Sequence, residues 1–350
     1  MLISEHLDIA WPPISVSGWP AITRYNFPVA VPHTRIGIEV EAEGFTGFNL
    51  PSYALQNEIE SVWMHKPEGS LRDRGIEFVT HPIQGAEISH ALSLLETMNV
   101  TGKLYYTDLA GLHIHLNVRE FTIQQLLNLI VLYMVFEDSL YRVSGNREQS
   151  IYCLPARTCW SGLPNLFRTQ NLLHSLGRAN KYMGFNYCTI PTLGTVEFRH
   201  SRGTKDVSYI LHWINTLLRM HHYAERANHE QLKTTVFDLN TNSSYTMFAN
   251  DVFGPDVDWI DCSNLAAEMS EGVSILKEWT MESHMNSSKI MDSQKKKKTS
   301  RVKIPKLADN HPFDQWFVRA DVPKLVVDHG HPQLMIIDDL VPAVPKRRLP

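Results

Sequence analysis

Cysteine is scarce in this chain: Cys153, Cys159, Cys188 and Cys262 are the four in 350 residues, and no CxxC pair occurs among them. That scarcity excludes a dense disulfide framework, and the four read as reduced, buried small hydrophobes in a reducing compartment. An excess of one charge is also lacking. Lys and Arg number 33 against 37 Asp and Glu, a formal net charge of −4. A general nucleic-acid binder would carry a large basic excess, so nucleic acid is not an expected partner. Long apolar runs are missing too. The strongest, Leu126 to Phe136, is interrupted by Asn128 and closed by Glu137 and Asp138. A membrane span needs roughly 20 apolar residues, so this run is expected to be a buried helix, with no membrane partner. Glu5 and Asp8 stand where a secretory leader would carry basic residues and an apolar run, and the chain reads as cytoplasmic.

What the chain does have is an ordinary globular composition, 43% hydrophobic and 20% charged, sufficient for a full core in one large domain with appendages. Residues 1–33, with Trp11, Pro12, Pro13, Trp19, Pro20 and Pro32, read as an irregular, extended arm packed on the body. Residues 34–284 form the expected catalytic domain. Residues 285–303, with Lys295 to Lys298 in a row, read as a polar basic linker, and 304–350 as a Pro-rich C-terminal tail. No internal repeat is present.

Within the domain, strands are expected at Arg35–Glu41, Gly75–Thr80, Gly111–Val118 and Gly194–His200. Helices are expected over Ala86–Met98, from a capping box at Thr122 and Gln125 to about Arg142, from about Lys205 to Ala227 with Asp206 in the first turn, and around Asn264–Thr280 under a Ser263 cap. Several strands are polar on one face, unlike the continuous apolar strands of a buried parallel sheet. The fold class is therefore α+β, a curved and mostly antiparallel sheet with a polar face that forms a site and an opposite face backed by two long helices.

The chemistry is concentrated in pairs two residues apart: Glu39 and Glu41, His113 and His115, Glu197 and Arg199. Alternate strand residues share a face, so each pair lands on one side of the sheet. If the sides coincide, three carboxylates, two imidazoles and a guanidinium converge, and Glu77 adds a fourth carboxylate. Packed carboxylates repel, and a divalent cation relieves them; oxygen-rich ligation favours Mg²⁺ or Mn²⁺. An Arg beside such a cluster suits the forked acceptors of a phosphate, which together points to phosphoryl chemistry. Each pair alone has an ordinary reading, an exposed Glu face, a core His or a surface ion pair. Their co-occurrence beside glycines in one segment carries the signal.

In order, Gly37-Ile38-Glu39-Val40-Glu41, Glu68-Gly69-Ser70-Leu71 leading to Gly75-Ile76-Glu77-Phe78-Val79-Thr80, Gly111-Leu112-His113-Ile114-His115, and Gly194-Thr195-Val196-Glu197-Phe198-Arg199 with Gly203-Thr204 behind resemble the amidoligase family. That family is in turn similar to glutamine synthetase and glutamate–cysteine ligase. The resemblance implies a half-open funnel holding Mg²⁺ ions, and an ATP-dependent ligase that joins a small-molecule or peptide carboxylate to an amine through an acyl phosphate. It implies metal contacts for Glu39, Glu41, Glu77, Glu197 and His115, and nucleotide or cofactor contacts for His113, His115, Arg199 and Asn186. It also implies a phosphate-holding role for Arg199, and places for Glu68 and Arg178 beside the substrates. Glu68 stands where relatives more often carry Asp, which puts its exact role as an amine-binding carboxylate in question. Glu43 matches no family ligand and is expected in solvent at the strand end. Two alternatives stay open: a metal-dependent phosphohydrolase, for which no HExxH helix or nucleophile elbow is present, and a non-catalytic module that retains the fold for binding.

Overall fold

Ile36, Ile38, Val40 and Ala42 alternate with Gly37, Glu39 and Glu41, and in the computed structural model both faces of this strand are buried. The structure describes residues 1–11, 28–158, 163–260 and 264–290. Trp19, Pro20, Cys159, Cys262, Ser263, the Lys295–Lys298 run and the whole 304–350 tail lie outside the described residues, as does most of the 285–303 linker.

Six strands, β1 (Ile36–Ala42), β2 (Trp63–Pro67), β3 (Ile76–Thr80), β4 (Gly111–Asn117), β5 (Phe185–Asn186) and β6 (Thr195–Arg202), pair in the order β2-β3-β1-β4-β6-β5. Every pairing is antiparallel. The helices are α1 (Ile3–Leu7), α2 (Tyr53–Val62), α3 (Ala86–Thr101), α4 (Ile123–Val143), α5 (Leu163–Thr169), α6 (Leu172–Leu176), α7 (Ile190–Leu193), α8 (Val207–Arg226), α9 (His229–Phe237), α10 (Asn242–Phe253) and α11 (Leu265–Ile290). Ile38, Val40, Phe78, Ile114, Leu116, Val196 and Phe198 point to one face of the sheet and join a single core with α3, α4 and α8. The other face carries mostly polar side chains, with Val79 among them opposite Glu39.

The long helices form where their caps and periodicity demand. Thr122 Oγ1 accepts from Gln125 N while Gln125 Oε1 accepts from Thr122 N, the reciprocal capping box. Asp206 is the N-cap of α8 and not a first-turn residue; its carboxylate accepts from the N–H groups of Ser208 and Tyr209. Asn128, the polar break in the apolar run, is fully buried and donates to the Ala224 and Ala227 carbonyls at the end of α8, which it therefore caps.

Three differences from the sequence expectation have physical causes. The arm does not start extended: residues 3–7 form α1, which buries Ile3 and Leu7 and bonds Ile3 N to Phe121 O. β2 went unrecognised because it is an edge strand ended by Pro67 and half exposed, with little alternation to read. α11 continues to Ile290, past the expected boundary at 284; its inner residues Leu265, Met269, Val273, Leu276 and Trp279 recur at helical spacing and are buried.

Candidate active site

Strand register builds the site. Glu39 lies opposite His113 across β1 and β4, and His115 lies opposite Glu197 across β4 and β6. Glu41 faces Glu77 across β1 and β3, and Asn186 faces Glu197 across β5 and β6. Directly opposed residues share a sheet face, so the glutamates, histidines and Asn186 gather on the polar side. A β-bulge between Leu112 and Ile114 sets two residues of β6, Arg199 and His200, against His113 alone. Alternation from core-facing Phe198 puts His200 in the core and Arg199 beside Glu197.

Two carboxylate groups result. In the first, Glu39, His115 and Glu197 are all buried and offer ligand atoms within 4.8 Å of one another. His113 Nδ1 donates to Glu39 Oε2 at 2.8 Å and lies 3.4 Å from Glu197 Oε1. His115 turns Nδ1 to Thr195 Oγ1 at 3.0 Å, and its Nε2 lies 3.4 Å from Glu39 Oε1. A hydroxyl partner on one ring nitrogen orients the other toward the carboxylates, as second-sphere groups do at metal sites. Asn186 Nδ2 donates to Glu197 Oε2 at 2.6 Å, and Arg199 bonds Glu197 Oε1 while its Nε donates to Tyr152 O at 3.1 Å.

The second group joins Glu41, Glu68 and Glu77, whose ligand atoms also lie within 4.8 Å of one another. Glu68 comes from the turn between β2 and β3, which Gly75 closes: Glu68 N donates to Gly75 O, and a Cβ at Gly75 would sit 2.5 Å from Glu68 O. Glu41 Oε2 accepts from Gly111 N at 2.6 Å. Gly111 is required there, since a Cβ would fall 2.6 Å from His113 Nε2 and 3.0 Å from both Arg147 Nη1 and Glu41 Oε2.

Glu43 corrects the sequence expectation. It is not in solvent but 2% exposed, and its Oε1 accepts from Arg72 N at 2.8 Å. The main chain explains this: Glu43 pairs with Tyr105 in both directions and Gly44 N donates to Asp73 O, so the glutamate turns inward and anchors the loop that bears Glu68.

Lys66 and Arg147 are site residues that the sequence did not mark. Lys66 Nζ approaches Glu77 Oε2 at 2.6 Å from β2. Arg147, 7% exposed, follows α4 and donates to Ser201 O at 2.7 Å near Glu41. Arg178, by contrast, is exposed in the turn after α6, where its charge acts on His174.

Electrostatics separates the carboxylates. Burial pushes the Glu39 carboxyl up, but hydrogen bonds and charge from His113 and His115 hold it well below the usual range. Glu197 is likewise opposed by burial yet lowered, chiefly by Arg199 and His115. Burial raises Glu77 well above the usual carboxylate range, reinforced by Glu39, even with Lys66 beside it. Burial disfavours the Arg199 cation, but Glu197, Glu39 and Glu41 hold it firmly charged. An oxygen-rich, imidazole-assisted donor set with unrelieved negative charge fits divalent cations.

No helix among the described residues is long and apolar enough to cross a membrane. The described cysteines, Cys153 and Cys188, are free, and burial raises their thiols to about 11 and about 12. No curated protein matches the chain. Residues 51–221 match the family model described as "Putative amidoligase enzyme"; the match takes in Glu68, Glu77, both histidines, Asn186, Glu197 and Arg199 and begins after the β1 glutamates. Residues 51–221, just under half of the chain, are therefore similar to the amidoligase family.

Proposed function

We propose that this chain is an ATP- and Mg²⁺-dependent carboxylate–amine ligase that forms an amide or isopeptide bond through an acyl phosphate, with Mn²⁺ as a substitute cation. The observation that carries the reading is the pair of adjoining groups on one sheet face, Glu39/His115/Glu197 and Glu41/Glu68/Glu77, with Arg199 on Glu197. The similarity of residues 51–221 to the amidoligase family supports ligase chemistry on small-molecule or peptide substrates.

On this reading Glu39, His115 and Glu197 hold one cation and Glu41, Glu68 and Glu77 another. Bound Mg²⁺ supplies neutralisation of the ATP phosphates and of charge developing in the transfer. The remaining work belongs to side chains. Arg199, steadied by Glu197 and the Tyr152 carbonyl, is the fork we assign to the transferring phosphoryl oxygens. Asn186 and Thr195 hold Glu197 and His115 in position, and Glu43 holds the Glu68 loop. Glu68 is thereby assigned to the carboxylate group and not to the amine.

The reaction then runs in two balanced steps. A substrate carboxylate oxygen attacks the γ-phosphorus as its bond to the ADP oxygen breaks. An amine nitrogen next adds to the acyl carbonyl, loses a proton, and expels inorganic phosphate. Water must be kept from the activated carbonyl, and the glutamine-synthetase-like funnel proposed for the polar face would do so.

The test is ADP release from ATP and Mg²⁺ across a panel of carboxylic acids and amines. Turnover that needs both an acid and an amine is the expected result. ADP formed with water as the sole acceptor would replace the ligase by a phosphohydrolase. No turnover together with no nucleotide binding would leave a non-catalytic module.

A further inference from the structure

His33, His222 and Glu225 form a second group of ligating side chains, with ligand atoms within 4.8 Å of one another. None of them belongs to the carboxylate face. His222 and Glu225 are three residues apart on α8 and share one face of it, with His222 Nδ1 3.5 Å from Glu225 Oε2. His33 enters from the segment before β1, its ring edge-on to His222 with centroids 5.6 Å apart.

Two observations distinguish this group from a chance surface cluster. His222 Nδ1 is shielded from solvent, although the side chain as a whole is 34% exposed, and beyond the 3.5 Å approach of Glu225 Oε2 it makes no hydrogen bond among the described residues, leaving a polar atom that a ligand would satisfy. The segment that carries His33 is fixed: Ala30 N donates to Asn215 Oδ1 at 2.9 Å and Asn215 Nδ2 donates to Pro28 O at 3.0 Å. Asn215 lies two turns before His222 on α8, so the same helix face holds the segment and receives its histidine.

Two imidazole nitrogens with a single carboxylate oxygen suit Zn²⁺ and its neighbours, whereas Mg²⁺ favours sets dominated by oxygen, such as those on the carboxylate face. Bonds of about 2.0–2.1 Å to a tetrahedral ion put ligand atoms about 3.3 Å apart. The His222–Glu225 pair is already near that spacing at 3.5 Å, and His33 brings a third ligand atom within 4.8 Å of both. We infer that His33, His222 and Glu225 form a Zn²⁺-class site, separate from the carboxylate face, that staples the segment leading into β1 onto α8. With three protein ligands the fourth position is open to water or a small anion.

The test is Co²⁺ titration of the full chain followed by visible d–d absorption, over excess Mg²⁺ to occupy the carboxylate face. The expected result is one tetrahedral Co²⁺ per chain, displaced by Zn²⁺, in wild type and in Glu39→Gln. His33→Ala and His222→Ala should each weaken it at least tenfold, with far-UV circular dichroism unchanged. The inference is overturned by the lack of a tetrahedral band in wild type, by a band that either histidine variant leaves intact, or by loss of the band in Glu39→Gln.

Discussion

Glu41 stands directly across the β1–β3 ladder from Glu77, and both carboxylates are buried on the same face of the sheet. Like charges in that register destabilise a sheet by up to about 1 kcal/mol, and burial adds to the cost. Lys66 answers part of it from the edge strand. The metal-free chain should therefore gain stability from Glu77→Gln, by about 1 kcal/mol. The same variant should gain less than wild type when Mg²⁺ is added, because a ligand stabilises only the folded state that binds it. Thermal melts with and without Mg²⁺ measure both; a lower metal-free melting temperature with an unchanged Mg²⁺ shift would contradict the assignment.

Gly111→Ala should impair the site with little loss of fold. The added methyl would meet His113 Nε2, Arg147 Nη1 and Glu41 Oε2, all on the polar face. Mg²⁺ affinity measured calorimetrically should fall at least tenfold, a typical cost of disturbing a metal's supporting groups, while the melting temperature moves little.

Gly272→Ala tests the packing of α11 on α4. In an open helix the change would stabilise by up to about 1 kcal/mol. Here the added Cβ falls on the backbone oxygen of Met134, well inside contact distance, and 2.9 Å from Val135 Cα. Destabilisation of about 2 kcal/mol is expected in chemical unfolding, within the range for overpacked cores. The sign of the change is the informative outcome.

His200 gives a pH dependence with a defined direction. Burial, with a contribution from Arg147, lowers its pKa from 6.5 to about 3 in the folded state. Below pH 6.5 the unfolded chain takes up a proton that the folded chain refuses, so stability from this group is complete above that pH and is lost as pH falls toward 3. At about 1.4 kcal/mol per tenfold change in proton affinity, the loss is of order 4 kcal/mol. Unfolding free energy measured against pH should fall less steeply in His200→Gln than in wild type.

Much of the site was legible because it is written at strand spacing. Glu39 and Glu41, His113 and His115, and Glu197 and Arg199 each announce a shared face, and the four strands and long helices that carry them stand close to where periodicity and caps set them. What escaped depends on contacts distant in sequence. Lys66 matters only because β2 pairs with β3, and Arg147 only because its loop folds back to Ser201. Glu43 continues the alternation of Glu39 and Glu41, yet its burial follows from backbone pairing with Tyr105, far along the chain. The turn after α6 leaves Arg178 exposed, which a local motif could not foresee.

The most direct test of the central claim is isothermal titration of Mg²⁺ with a non-hydrolysable ATP analogue into wild type and Glu39→Gln. Nucleotide binding that requires Mg²⁺ in wild type and is lost in the variant is the predicted result. Binding that is indifferent to Mg²⁺, or equal in the two proteins, would contradict a nucleotide-bearing metal centre on the carboxylate face.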